Sequence, residues 1–311
     1  MEMRKLIIRL GTFGMFAMAT WFVFALICSQ SYSLEYRFIG HETNWGYVNQ
    51  KTTEWARANK ANVDIIFLGS STCYSSIDPR AFEAFGMLGF SLCSSSQAIG
   101  NSAKLAPPAL SEAKPKFLAM DVYPSIWGAT GPAIESTKDW IVNSNLRGSH
   151  WSRAYRWLAF ESADLFTIFT SAYYDLVRPS KPAGANPHLP DDPKGDYRGL
   201  GFVARSFAPL DSIECEDLYR EMSEFECEAI TDMRAQCEAA GAQLVLINPP
   251  QLCEETFEKP ACFEGLTYID GNHWPGAKTP QHYYDDHHLV EAGALSYSAW
   301  LAAEIAKLPR D

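Results

Sequence analysis

The first strong hydrophobic feature is a run of nineteen uncharged residues from Leu10 to Cys28. At about 1.5 Å rise per residue, a helix of that length spans the hydrocarbon core of a bilayer. No charge punctuates it, which argues against a helix in a soluble core. Arg4, Lys5 and Arg9 precede the run. Positive charge on that side predicts a cytoplasmic N-terminus and an extracytoplasmic remainder. The alternative is a cleaved signal peptide. It finds only a weak small-x-small site at Ser29-Gln30-Ser31, and no small residue precedes Cys28 as a lipoprotein site would require. The pattern predicts an uncleaved, single-pass anchor over residues 1–29.

Residues 30–61 are mixed and polar, with Tyr32, Tyr36, Phe38 and Trp45, and read as a stalk leading into a helix near 48–59. From residue 62 short apolar runs alternate with helical patterns. Val63–Leu68 ends at Gly69 and fits a buried parallel strand. Asp78-Pro79 predicts a helix start. A weaker strand ends near Leu92, residues 98–112 have helical spacing, and Lys116–Val122 is a third strand. Residues 128–210 form an insert with several tryptophans and a Pro/Gly/Asn/Asp-rich loop from Pro179 to Gly201. Loops of that length are commonly functional. Asp211 is read as capping a long helix to about Ala240, stopped by Gly241. Gln243–Ile247 is another strand, ended by Pro249-Pro250, and residues 289–308 form the last helix. Strands alternating with helices predict right-handed crossovers and a mainly parallel sheet covered on both faces, a three-layer αβα sandwich over 62–311.

Charge changes the picture modestly. The 311 residues carry a formal −11. Without Glu2, Arg4, Lys5 and Arg9, the rest holds 23 basic and 36 acidic residues, a net −13. No basic run exceeds Arg4-Lys5, which excludes a phosphate-tracking nucleic-acid binder. Seven of eight cysteines lie outside the anchor. In an oxidising compartment some should pair, and the odd count leaves at least one without a partner in the chain. Cys253 and Cys262 suit a local bridge, and Cys73 and Cys93 each follow a strand and could meet. Cys215, Cys227 and Cys237 fall on one predicted helix and cannot all pair with each other. Buried thiols are the alternative. No C-x-x-C occurs, so neither a zinc site nor a thioredoxin-type motif is indicated.

Ligand sites in such sheets form at the carboxyl ends of the strands. The first strand ends in Gly69-Ser70-Ser71-Thr72, a turn that can lift a hydroxyl above the sheet. Far along the chain stands Tyr283-Tyr284-Asp285-Asp286-His287-His288-Leu289. A histidine beside a carboxylate supplies a general base whose tautomer and imidazolium the carboxylate stabilises. A metal cluster of His282, His287, His288, Asp285 and Asp286 is the competing reading, but neighbouring side chains rarely converge on one ion. No metal or other cofactor is expected.

Together these segments resemble the SGNH/GDSL hydrolase superfamily. DIIFLGSSTCYSSIDP is similar to its first block, with Ser71 as nucleophile, and YYDDHHLVEAGA to its last, selecting Asp285 and His288, with Gly293 following. The resemblance covers about residues 62–308 and implies a Ser71–His288–Asp285 triad. The family's second-block Gly and third-block Asn, both oxyanion donors, are not matched. Ser96 stands near the first and Asp121-Val122-Tyr123-Pro124 replaces the second. Losing one such donor costs about 10²–10³ in rate, so Ser70, Ser94 and Ser96 are the substitutes for oxyanion or substrate binding. With its anchor, the chain resembles the membrane-anchored extracytoplasmic subset linked to cell-surface polymer acylation, which includes the D-alanyl-lipoteichoic-acid protein and O-acetylation proteins. That implies an esterase or O-acyltransferase. Its partners would be a cell-surface polysaccharide or teichoic-acid-like polymer, a membrane-bound O-acyltransferase, and the lipid bilayer. The alternatives are a non-catalytic partner of such an acyltransferase and a metal-dependent hydrolase. Trp127, Trp140, Trp151 and Trp157 are candidates for sugar stacking, and Arg147, Arg153, Arg156 and Arg205 for contact with an anionic polymer.

Overall fold

The computed structural model describes residues 2–29, 46–146, 148–161, 168 and 196–309. The stalk residues 30–45 with their four aromatics, Arg147, and residues 179–195 of the expected loop lie outside the described residues. Helix α1 is Glu2–Ser29, and within it Met3–Phe24 is long and apolar enough to cross a membrane. The rest of the chain buries none of it, so it is not a core helix.

The next helix, α2 (Val48–Arg57), belongs to the α/β unit and not to a stalk, because Val48, Lys51 and Trp55 are fully buried against it. The expected boundary at residue 61 therefore lies before this helix. Strand β1 (Ile65–Leu68) leads into helix α3 (Ser71–Ser76). A 3₁₀ turn (Pro79–Phe85), capped by the Asp78 carboxylate, stands where a helix was expected. Then come β2 (Gly89–Ser91), α4 (Ile99–Ala113) and β3 (Phe117–Asp121). The insert supplies α5 (Ile134–Asn143), α6 (Ser149–Glu161) and a small hairpin, β4 (Tyr197–Gly199) with β5 (Phe202–Val203). The chain closes with α7 (Glu224–Ala240), β6 (Gln243–Asn248), β7 (Thr267–Asp270) and α8 (Glu291–Ala306).

Five strands form one parallel sheet in the order β2-β1-β3-β6-β7. Successive side chains of a strand point to opposite faces. Accordingly Ile66 and Leu68 of β1 pack in one core layer with α4 and α7, while Ile65 and Phe67 pack in the other with α3 and α8. Burial on both faces explains why these strands read as unbroken apolar runs. The carboxyl ends of β1 and β3 thus stand on one edge, next to the turn that opens α3.

Two expectations fail here. Helix α7 starts at Glu224, not Asp211. Its signal is the capping box of Ser223 and Glu226, in which each side chain takes the other's backbone N–H. Residues 211–223 lack helix, so Cys215 is free to reach Cys253, and Cys227 at the start of α7 pairs with Cys262. The expected Cys253–Cys262 bridge is therefore absent. Cys73 pairs with Cys93. Cys237 is a buried free thiol, and burial pushes it up to about 12, which leaves it inert as a nucleophile.

Candidate active site

The turn between β1 and α3 is shaped by Gly69 and Asp121. Gly69 has φ +151°, and a Cβ there would lie 2.2 Å from the Asp121 Cβ. With no side chain at 69, the Asp121 carboxylate approaches the turn. Its Oδ2 accepts from the Ser70 backbone N–H (3.0 Å), Ser70 Oγ (2.8 Å) and Thr72 Oγ1 (2.8 Å), while Oδ1 accepts from Tyr123 N–H (2.9 Å). Asp121 is fully buried. Burial raises its carboxyl above the ordinary value, with the Ser70 and Thr72 hydrogen bonds opposing. Asp121 is thus an acceptor that fixes the turn. Ser71, next along, opens α3, so its backbone N–H has no intrahelical acceptor.

Helix α3 is held from three sides. The Cys73–Cys93 disulfide ties it to the chain after β2. Two basic side chains lie over the Tyr74 ring, Lys51 Nζ at 4.3 Å and the Arg205 guanidinium carbon at 5.2 Å from its centroid. Asp78, just beyond α3, gives its backbone N–H to Ser298 Oγ of α8 (2.7 Å). Lys51 is buried and donates to the Cys93 carbonyl. Burial holds its ammonium well below the usual lysine range, while the nearby Asp139 carboxyl is pushed up to about 7, again by burial.

The partner segment comes from the other end of the chain. Gly293 in the first turn of α8 lets the helix sit against the preceding loop, since a Cβ there would fall 2.5 Å from the His282 carbonyl oxygen. In that loop Asp285 Oδ1 accepts the backbone N–H groups of His287 (3.0 Å) and His288 (2.6 Å). Its Oδ2 is 2.8 Å from His288 Nδ1, and His288 Nε2 is 2.8 Å from Ser71 Oγ. Ser71, His288 and Asp285 are therefore joined in one hydrogen-bond chain across 217 residues of sequence separation.

The electrostatics assign the protons. Burial alone would raise Asp285, but its hydrogen bond to His288, the charges of His288 and His287, and the backbone N–H of His287 hold it down at about 2. Burial lowers the His288 ring below the ordinary histidine value. Asp285 opposes this, and His287 and Arg205 reinforce it. At neutral pH Asp285 is ionised and acceptor-only, so His288 carries its proton on Nδ1 and offers Nε2 to the Ser71 hydroxyl. The sign of the pH response follows. The reaction of Ser71 with a fluorophosphonate should fall as pH drops and His288 is protonated, with an apparent pKa below the ordinary ~6.5. Rates measured from pH 4 to 9 check this; a limb centred above that value would contradict it.

His287 plays a different part. It stacks on Tyr123 (centroids 5.1 Å), and its Nδ1 is 2.6 Å from Asp286 Oδ1. Burial works against its charged form, but Asp286 and Asp285 outweigh that and raise its pKa. Asp285, His287 and His288 hold ligand-type atoms within 4.8 Å of one another. As a metal centre the set fits poorly, because both His288 nitrogens are engaged, by Asp285 and Ser71, and His287 Nδ1 faces Asp286. His282, expected in that cluster, instead places Nδ1 3.0 Å from the Gly276 carbonyl and stacks on Trp274.

The three serines expected to replace oxyanion donors do not offer free hydroxyls. Ser70 Oγ is buried on Asp121 and Thr72. Ser94 Oγ is buried between Ser136 Oγ (3.0 Å) and the Trp140 indole N–H (3.1 Å). Ser96, at φ +50°, turns its hydroxyl to Glu135 (3.2 Å). Of the tryptophans, Trp127, Trp140 and Trp151 are core residues, and Trp140 and Trp151 stack at 6.2 Å. Trp157 alone among the four is exposed. Arg153 and Arg156 are exposed on α6, whereas Arg205 stands at the site through Tyr74. Sequence reasoning passed over Tyr74 and Tyr284. The first follows Ser71 by three residues, the spacing of one helix face. The second adjoins Asp285, and its ring lies parallel to His288 (centroids 5.4 Å, 5°). A cleft of about 430 Å³ lined by Lys116, Arg234, Gln243 and Thr267 lies at the amino ends of the strands, away from this site.

The fold and site define an α/β chain with one apolar N-terminal helix and a Ser–His–Asp hydrogen-bond chain at the carboxyl edge of its sheet. Compared with models of known families, with curated proteins and with solved structures, the chain matches none.

Proposed function

We propose that this chain is a membrane-tethered SGNH-type serine esterase or O-acyltransferase, with its α/β domain on the extracytoplasmic side. The observation that carries the reading is the continuous Ser71–His288–Asp285 hydrogen bonding, with both links at 2.8 Å. Ser71 Oγ attacks the ester carbonyl carbon as its proton passes to His288 Nε2, and Asp285 stabilises the imidazolium. The bond to the alcohol oxygen then breaks, His288 returns the proton to that oxygen, and an acyl-Ser71 ester remains. Water or an acceptor hydroxyl next gives its proton to His288 and attacks the acyl carbon; as the acyl–Oγ bond breaks, His288 passes that proton to Ser71 Oγ and the starting state is restored. The Ser71 backbone N–H, freed by its place at the start of α3, is the oxyanion donor that the sequence of the turn supplies. Three disulfides suit an oxidising compartment, and positive residues ahead of the apolar helix suit a cytoplasmic N-terminus. A glycopolymer of the cell envelope is the substrate class this reading favours, and a membrane-bound O-acyltransferase the acyl source.

One observation favours a second reading, a non-catalytic partner of such an acyltransferase. The hydroxyls of Ser70, Ser94 and Ser96 are committed elsewhere, and Asp121 holds the third-block position. A fluorophosphonate probe separates the two. The full chain in membranes should be labelled and Ser71→Ala should not; absence of label on the wild type would favour the partner reading.

A further inference from the structure

Four arginines of the α/β unit have carboxylate partners: Arg80 with Asp78, Arg198 with Glu291, Arg220 with Glu255 and Arg234 with Glu238. Arg205 has none among the described residues. Its Nη2 donates to the Tyr74 hydroxyl (2.6 Å), its guanidinium lies against the Tyr74 ring, and its Nε is buried without a hydrogen-bond partner. The Asp196 carboxylate is near enough for its field to reach Arg205, but the two form no ion pair, and Asp196 Oδ1 accepts from the Ser206 hydroxyl (2.9 Å).

The position of this cation matters as much as its isolation. Tyr74 stands one helical turn after Ser71 on α3. Tyr284, whose ring lies parallel to His288, is close enough to Arg205 for the two to interact electrostatically. Ser71, Tyr74, Arg205, Tyr284 and His288 therefore form one contiguous wall. A largely desolvated guanidinium with no carboxylate in contact is costly, and an acidic domain has carboxylates to spare for pairing. The planar guanidinium fork matches a carboxylate or a phosphate.

We propose that Arg205 receives an oxyanion of the substrate, a carboxylate or a phosphate, beside the scissile ester. The inference rests on the acyl-transfer reading of the site and narrows its substrate class to anionic esters. It also answers how a domain of net −13 meets an anionic polymer: through one local cation at the nucleophile.

The test uses the full chain in a non-ionic detergent. Turnover is compared for 4-acetoxybenzoate against its methyl ester, and for 4-acetoxyphenyl phosphate against phenyl acetate. Arg205→Gln should lower kcat/KM for a charged ester at least about tenfold more than for its neutral counterpart, as expected for losing a charge-assisted contact. Arg205→Lys should recover part of that difference. Whichever charged ester shows the effect identifies the anion. Equal losses on charged and neutral esters would overturn the inference and assign Arg205 a structural role. Binding of 4-hydroxybenzoate and phenyl phosphate to Ser71→Ala, followed by NMR, needs no turnover. Saturable binding weakened by adding Arg205→Gln supports the anion site even if no ester is hydrolysed, an outcome that would overturn acyl transfer alone. Hydrolysis with no Arg205 dependence in either measurement overturns the anion site alone.

Discussion

Replacing Asp285 with Asn should slow the reaction of Ser71 with a fluorophosphonate by about 10⁴-fold, the scale seen when a triad aspartate is neutralised, while the domain stays folded. The amide keeps the side-chain shape but removes the charge that holds the His288 proton on Nδ1. With an amide N–H₂ facing Nδ1, the favoured tautomer carries its proton on Nε2, and the ring can no longer accept from Ser71 Oγ. The hydrogen bonds from the His287 and His288 backbone to Oδ1 can survive in the amide, so the loop should keep its form. Second-order labelling rates and thermal unfolding of the full chain check both halves. A loss of less than about tenfold with intact folding would mean that Asp285 serves the loop and not the base.

The second large effect is on stability. Asp121→Ala removes the shared acceptor of the Ser70 N–H, Ser70 Oγ, Thr72 Oγ1 and Tyr123 N–H. All four donors are at a fully buried position, and an unsatisfied buried donor costs about 1–3 kcal/mol. Partial rearrangement of the hydroxyls reduces the sum, so the expected destabilisation is about 3–5 kcal/mol, a large share of a typical domain's 5–15. Ser71 labelling should fall with it, because the Gly69–Ser71 turn loses its anchor. Asp121→Asn retains an acceptor oxygen and should lie between the two. Denaturant unfolding measures this. An alanine variant with wild-type midpoint and labelling rate would show that the Asp121 network neither stabilises nor positions the turn.

The parts of this molecule that were legible in its sequence are those encoded locally. β1, β3 and β6 are buried on both faces and so read as apolar runs bounded by Gly or Pro. β7 is an edge strand, Thr-Tyr-Ile-Asp, of intermediate exposure throughout, and without an apolar run it carries no strand signal. The acidic stretch before α7 has the composition of a helix start, but the cap at Ser223 marks the true one. That misplacement alone misdirected the cysteines, because a helix over 211–223 would have carried Cys215 away from Cys253. Ser71, Asp285 and His288 sit in short motifs whose order and spacing carry chemical meaning. Arg205 was legible only as one of four candidate cations, Asp121 only as a departure from the motif, and Lys51 not at all. Each is brought to the nucleophile by tertiary packing from a distant segment, and a single residue without a local pattern does not reveal where it packs.

Whether His288 activates Ser71 as a nucleophile is tested most directly by peptide mapping by mass spectrometry of the full chain after reaction with a fluorophosphonate probe. One adduct is expected, on Ser71, absent from Ser71→Ala and strongly reduced in His288→Ala. An adduct on another residue, or label that persists unchanged when Ser71 is replaced, would contradict it.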